Sequence, residues 1–258
     1  MKHILVCMKA VPGTNQVQVD GQYRLQRNGV NLQWNVADES ALEAANRLKV
    51  PSGTVTVLTM GPGKLEAPLR ELFARGADRA VLLTDPRMAG ADTRATAAAL
   101  AAAVKELGDF DLILCGRRAM DGETGQVPGE LAAALGLPCV TNAEALEKTA
   151  QGLQIRRRME KGIMTMETDS SAVVSVCEYS YPLRLPGILA MRKAKDKQVE
   201  KLTAGDLSLH PESCGLKGSL TKVVAMEARF PGLRKGAKET DITLGVRRVA
   251  EICREVGK

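Results

Sequence analysis

The stretch DLILCGRRAMDGETGQVPGELAAAL, Asp111–Leu135, decides the fold class. Its first five residues form an apolar run of strand length. Its last nine carry Val127, Leu131 and Leu135 at helical spacing. Between them lies a loop of ten residues, Gly116–Gly125, longer than a simple strand-to-helix connection needs. Gly116, Gly122 and Gly125 let the backbone come close to an anion, and Thr124 and Gln126 can donate hydrogen bonds or cap the helix that starts at Val127. Arg117 or Arg118 offers positive charge to a phosphate. No Gly-Lys-Ser/Thr follows, so this is not a Walker loop.

The same strand–loop–helix unit recurs towards the N-terminus. Apolar runs at His3–Met8, Thr54–Met60 and Ala80–Thr84 each lead through a turn-rich segment into a helical pattern. The first helix is delayed by a long excursion with Pro12, Gly13, Gly21 and Gly29, and begins near Asp38 with Leu42, Ala45 and Leu48 on one face. The second carries Leu65, Leu69, Leu72 and Phe73. The third opens at Ala91-Asp92-Thr93 and carries Ala97, Leu100, Val104 and Leu107. Such alternation predicts an α/β fold, a parallel sheet with helices on both faces and right-handed crossovers. In such sheets ligands bind outside the carboxyl ends of the strands, the rim on which Lys9-Ala10-Val11-Pro12, Gly90–Thr96 and Gly116–Val127 all fall. Asp92 or Thr93 also reads as a plain helix cap, while Thr93 and Thr96, three residues apart, can turn two hydroxyls towards a ligand.

From Leu153 the pattern changes. Leu153–Met159, a turn at Lys161-Gly162 and Ile163–Glu167 predict a charged, exposed β-hairpin, followed by a core strand at Ala172–Cys177. From Glu178 onward a long loop with Pro182, Pro186 and Gly187 is expected, then a charged run, Arg192–Lys201. Residues 1–209 read as the α/β domain. Residues 210–258 read as an extended basic C-terminal arm that ends in a helix from about Asp241 to Val256.

Composition narrows the function. Of the 258 residues 45% are hydrophobic but only 3% aromatic, which suits an aliphatic core and leaves few platforms for stacking nucleic-acid bases. The net charge is +6, and Lys217–Lys258, with ten basic and five acidic residues, carries +5 of it. Without aromatic interleaving or a reader motif, that tail reads as a solvated or partner-facing arm and not as a nucleic-acid surface. The six cysteines, at positions 7, 115, 139, 177, 214 and 253, include no C-x-x-C pair and have no histidine at metal-ligand spacing. No metal site is expected, and a reduced, cytoplasmic setting is. Neither a signal peptide nor an apolar stretch of membrane-spanning length is read. No Ser-His-Asp or Cys-His set or carboxylate pair stands out, so no catalytic residue is assigned. A nucleotide site without acid–base machinery suits a protein whose bound cofactor does the chemistry.

Several separated segments carry a family resemblance: Asp111–Thr141, ILVCMKAVPGT at 4–14, GADRAVLLTDPRMAGADT at 76–93 and PGILAMRKAKDKQVEKL at 186–202. Together they resemble the β subunit of electron-transfer flavoproteins over nearly the whole chain, less so after about Leu209. The resemblance implies an adenine-nucleotide α-hydrolase-like α/β fold, paired with an α subunit that holds FAD, and exchange of electrons with acyl-CoA-type or other dehydrogenases. It implies AMP in this chain, or a second FAD in the electron-bifurcating branch. It places the nucleotide loop at Gly116–Val127, with Asp121 and Gly122 in it, and an N-terminal contact at Lys9 and Ala10. The Asp-Gly-Glu-Thr-Gly-Gln-Val run and the Gly-Ala-Asp-Thr at 90–93 with Thr96 look like the bifurcating branch, whereas Pro128 is displaced from that branch's usual position. The partner-recognition loop maps to Tyr181–Met191, with Leu185, Pro186 and Ile188 in its Leu-Pro-x-Ile motif and Lys193, Lys195 and Lys197 behind it.

Two other classes share the strand–helix pattern. An ATP pyrophosphatase needs a Ser-Gly-Gly-x-Asp-Ser loop after the first strand, and KAVPGTN at 9–15 lacks it. A stand-alone nucleotide-sensing module seldom carries a hairpin plus a basic arm of this length.

Overall fold

A computed structural model describes residues 1–13, 31–224 and 239–256. Most of the expected excursion with Gly21 and Gly29, and Arg229, Arg234, Lys235 and Lys238 of the basic arm, lie outside the described residues. The first half runs β1 (His3–Cys7), β2 (Ala10–Pro12), β3 (Leu32–Trp34), α1 (Val36–Leu48), β4 (Thr54–Met60), α2 (Glu66–Glu71), β5 (Arg79–Leu83), α3 (Thr93–Leu107), β6 (Leu112–Gly116) and α4 (Val127–Leu135). There follow β7 (Cys139–Lys148), β8 (Leu153–Met159), β9 (Gly162–Thr168), β10 (Ala172–Val176), α5 (Ile188–Lys195), β11 (Glu200–Leu202), α6 (Gly215–Gly218) and α7 (Ile242–Val256).

Side chains alternate across a strand, so Ile4 and Val6 face one side of β1 and Leu5 the other, and all three are fully buried. Both faces of the sheet must therefore be covered. Leu42 and Ala45 of α1 and Leu69 of α2 pack with Ile4, Val6, Val57 and Leu114. Leu100 and Val104 of α3 and Leu131 of α4 pack with Leu5, Val81 and Ile113 on the opposite face. The strands order as β11-β5-β4-β1-β6-β10-β7-β8-β9. The first seven are mutually parallel, and β8 and β9 continue the sheet antiparallel as a hairpin. The fold is the α/β class the alternation predicts.

The chain builds outward from β1 to β4 and β5, then returns to lay β6 on the other side of β1. This reversal opens a crevice between the carboxyl ends of β1 and β6.

Five elements carry weak sequence signals. In β7 the run CVTNAEALEK does not alternate cleanly, its register against β8 shifts between Ala143 and Ala145, and Asn142 sits at φ 63°. Strand β11 has three residues and is held at the sheet edge by Arg79, which grips Glu200 through two bonds of 2.6 Å. The β2–β3 pair is equally short. Helix α5 occupies what reads as loop and charged run, because only Ala194 in it is buried and no apolar stripe marks it. Arg192, Lys193 and Lys195 in its last turn favour the negative end of the helix dipole.

The described residues divide into compact units Met1–Val223 and Val224–Lys258. Residues 210–223, read from the sequence as the root of the arm, pack on the sheet domain: the Leu216 N–H donates to the Ala89 carbonyl (3.0 Å), and Leu220 and Thr221 donate to Asp92. In the second unit the described structure is α7, with Ile242, Val246 and Val249 exposed along one face. Among the described residues no helix is long and apolar enough to cross a membrane.

Leu114, fully buried in β6, offers a test of this core. Leu114→Ala is expected to cost roughly 2–5 kcal/mol of unfolding free energy in a denaturant titration. A loss under about 1 kcal/mol would place Leu114 outside a tightly packed interior.

Candidate functional site

The crevice is organised by the first turn of α1. Asp38 is buried, and its carboxylate accepts the backbone N–H of Lys9 at 2.7 Å with one oxygen. The other oxygen accepts the backbone N–H of Gly116 at 2.9 Å and the Asn35 amide at 3.0 Å. The same Asn35 amide donates to the Arg118 carbonyl at 2.9 Å, while its oxygen accepts the Met120 N–H at 3.2 Å. Two side chains of one helix start thus fasten the loops after β1 and β6 to each other. Burial pushes the Asp38 carboxyl up to about 7, against the pull of these donors. Gly116 is obligatory here, since a Cβ would run into the Asp38 carboxylate and come within 2.8 Å of the Ala37 Cβ.

A second tie crosses the crevice, where Lys9 Nζ meets the largely buried Asp121 carboxylate at 2.6 Å. Ala10, beside Lys9, is buried and pairs with Trp34. Beyond Asp121 the loop turns outward. Gly122, Thr124 and Gln126 are exposed, and Glu123 and Gly125 adopt left-handed backbone at φ 52° and 63°. Among the described residues nothing accepts the backbone N–H of Thr124, Gly125 or Gln126. Gln126 precedes α4 without capping it, and Pro128 sits in the first turn, where a missing N–H costs nothing.

The third loop meets this arc directly. Thr93 Oγ1 lies 3.2 Å from Gln126 Oε1 and 3.1 Å from Glu130 Oε1. Thr96 is half-buried one turn later. Asp92 caps α3 by accepting the Ala95 N–H at 2.9 Å, and its second oxygen takes the backbone N–H groups of Leu220 and Thr221 at 2.8 and 3.0 Å. Burial opposes its charge, but these bonds hold its carboxyl below the usual range. Asp92 is thus committed to holding chain. Lys9, Asp121, Thr93 and Gln126 come together on one rim; Leu185, Pro186 and Ile188 lie on a separate segment after β10.

Arg117 and Arg118 do not face the arc as free cations. Arg117 meets Glu178 at 2.9 Å and Arg118 meets it at 3.3 Å, with Glu123 3.6 Å from Arg118. Glu178 follows β10 and is 61 positions from Arg117 in sequence, so this neutralisation has no local signal. What the Gly116–Val127 loop itself offers an anion is therefore its backbone N–H groups. Cys7 and Cys115 are register partners on β1 and β6 beneath it, and contact with Cys7 together with burial pushes the Cys115 thiol well up, into its unreactive protonated form.

The sequence matches the Electron transfer flavoprotein domain over residues 23–207. It is 42% identical over 226 residues, 86% of each chain, to an electron transfer flavoprotein subunit beta of Thermoanaerobacterium thermosaccharolyticum. The chain belongs to the electron transfer flavoprotein family, as a β subunit. It is also similar to the caffeyl-CoA reductase-Etf complex subunit CarD of Acetobacterium woodii, 38% identical with 85% of each chain covered. Protein FixA of Azorhizobium caulinodans is 37% identical, with 88% of this chain and 85% of that one covered. The function of this flavoprotein subunit is electron transfer.

The flavoprotein's site also rests on residues that its sequence does not single out: Asn35, Asp38, Glu130 and Glu178. Asn35 and Asp38 occupy a helix start, where a polar residue ordinarily caps its own helix, but Asn35 makes no such bond. The sequence signal available is only that two polar residues, Asn35 and Asp38, stand at the helix start.

Two outcomes test the clasp. Gly116→Ala is expected to destabilise the flavoprotein subunit by more than about 1 kcal/mol through the forced clash, whereas Gly122→Ala, with open space at its Cβ, is expected to be neutral within about 0.5 kcal/mol. Because the folded-state pKa of Asp38 lies above its ordinary value of 3.8, the folded chain keeps this proton longer than the unfolded one. The stability of wild type relative to Asp38→Asn should therefore be greatest near pH 4 and fall as pH rises to about 7. Chemical melts across that range check the slope, and a difference that is flat or rises would refute it.

Proposed function

We propose that this subunit binds FAD on the rim between β1, α3 and α4, pairs with a larger FAD-holding α subunit, and passes electrons by flavin-based bifurcation to or from an acyl-CoA-type dehydrogenase. The observation that carries the reading is the arc Thr124–Gln126. It offers unclaimed backbone donors and exposed Thr124 and Gln126 side chains at a topological switch point. These groups suit a nucleotide phosphate: Asp121 and Glu178 are paired with Lys9 and Arg117, and the carboxylate nearest Thr93 and Gln126 is Glu130. Gly122 and Gly129 leave open space for a ligand's approach. Thr93 and Thr96, in the first turn of α3, take one side, and Lys9, Ala10 and Val127 the other. A flavin held there supplies the redox chemistry; the chain's part is to bind and orient it.

Two apolar surfaces suit the proposed partners. Beyond Val223 the chain acts as an arm whose helix α7, with Ile242, Val246, Val249 and Cys253 along one stripe, is covered by the α subunit. Leu185 and Ile188, exposed beside Arg192, Lys193 and Lys195, form a plug with a basic surround for an acidic dehydrogenase surface. CarD belongs to a caffeyl-CoA reductase-Etf complex by name, and another relative, from Anaerotignum propionicum and 34% identical, is named an acryloyl-CoA reductase electron transfer subunit gamma. Both names fit a coenzyme A thioester reductase as partner.

The heterodimer is expected to release two FAD on acid extraction and chromatography; one FAD with one AMP would overturn the FAD assignment for this chain. The double change Thr124→Ala with Gln126→Ala is expected to weaken retention of the ligand on this subunit a hundredfold or more, at roughly 1.5–3 kcal/mol per bond to a charged phosphate. Unchanged content after dialysis would remove both residues from the site.

A further inference from the structure

The exposed Leu185 raises a physical question. At 88% exposure it has no packing to hold it, yet a docking side chain is effective only if its direction is set before the partner arrives. The residue before it is held unusually firmly. Arg184 donates Nε to Glu43 Oε2 at 2.9 Å, a terminal N–H to Oε1 at 3.2 Å, and its backbone N–H to Oε2 at 3.3 Å. Its carbonyl accepts from Arg75 at 3.4 Å. Every polar group of the Arg184 backbone, and its guanidinium, is therefore engaged with another element. Glu43 is buried on α1, and Arg47, one turn on, adds a 3.2 Å bond to Oε1.

We infer that the Glu43–Arg184 pair is a positioning device for partner docking: it fixes the backbone that aims Leu185. This rests on the reading of Leu185 as a docking residue. Helix α5 has anchors of its own, Ala194 buried in it and Arg70 donating to the Lys197 carbonyl at 3.1 Å just beyond it. Arg184 is therefore the last residue tied to another element before the exposed Leu185. A buried carboxylate with one strong partner on a loop also has a stability role, so the test must separate aiming from folding.

The test uses the intact heterodimer and an acyl-CoA dehydrogenase chosen for turnover with the wild type. Arg184→Ala is expected to raise the KM for the dehydrogenase about three- to tenfold, with kcat at saturating dehydrogenase and flavin content close to wild type. Arg184→Lys, which keeps one charge-assisted bond to Glu43, is expected to recover part of the loss. Leu185→Ala is expected to raise KM about ten- to a hundredfold, and adding Arg184→Ala to it should change KM less than about twofold, because the aimed group is gone. Independent, multiplying effects of the two changes would overturn the aiming role, as would a normal KM for Arg184→Ala beside an impaired Leu185→Ala. A normal KM for Leu185→Ala would instead overturn the docking reading itself. If Arg184→Ala lowers the melting temperature, Glu43→Gln is measured in its place by the same KM comparison.

Discussion

One buried carboxylate underlies the site. Among the described residues Asp38 is met by no cationic side chain; its carboxylate is held by two backbone N–H groups and an amide. Those N–H groups belong to Lys9 and Gly116, the second residue past β1 and the last of β6. A carboxylate in a poorly solvated position holds its donors tightly, since losing one leaves a buried charge less compensated. The two central strands are in this way locked in relative height where a ligand approaches. The outer arc at Thr124 and Gln126 can stay solvent-facing because its base is fixed.

Helix α1 serves a second region as well. Glu43 lies five residues after Asp38, about 7.5 Å along the axis, and holds Arg184. Arg47 lies over the ring of Tyr181 at 5.3 Å, while the Tyr181 hydroxyl accepts the Leu146 N–H at 2.6 Å. The segment after β10 is thus pinned to the helix that fastens the crevice. Apolar burial holds α1 on the sheet through Leu42 and Ala45, and its polar residues are spent on neighbouring loops.

Much of this was legible in the sequence. The central strands carried apolar runs bounded by glycine or proline, and their helices carried leucines at regular spacing, because burial on both faces leaves little room for polar substitution. The three loops on the rim were found by length and residue type. What escaped was set by distant partners. Nothing near Arg117 and Arg118 announces Glu178, so cations that read as phosphate ligands turned out to be neutralised. Nothing near Gly90 announces that Asp92 would anchor Leu220 and Thr221. Helix α5 was hidden for the opposite reason: a helix with its apolar side chains in solvent has no periodic burial to betray it, and β7 and β11 were too irregular or too short to read.

The strand order also dictates how the chain must assemble. β1, β4 and β5 are made early and pair across short separations, with Cys7 beside Leu58 and Met60 beside Leu83. The free flank of β1 must then wait for Leu112–Gly116, and the outer edge of β5 for Glu200–Leu202, well over a hundred residues after β5 itself. Loop closure over such distances is slow, and parallel pairing cannot shorten it. During synthesis the growing chain therefore exposes the flank of β1 until Leu112–Gly116 emerges and the outer edge of β5 until Glu200–Leu202 does. Chaperone capture or misassembly is most probable in that interval.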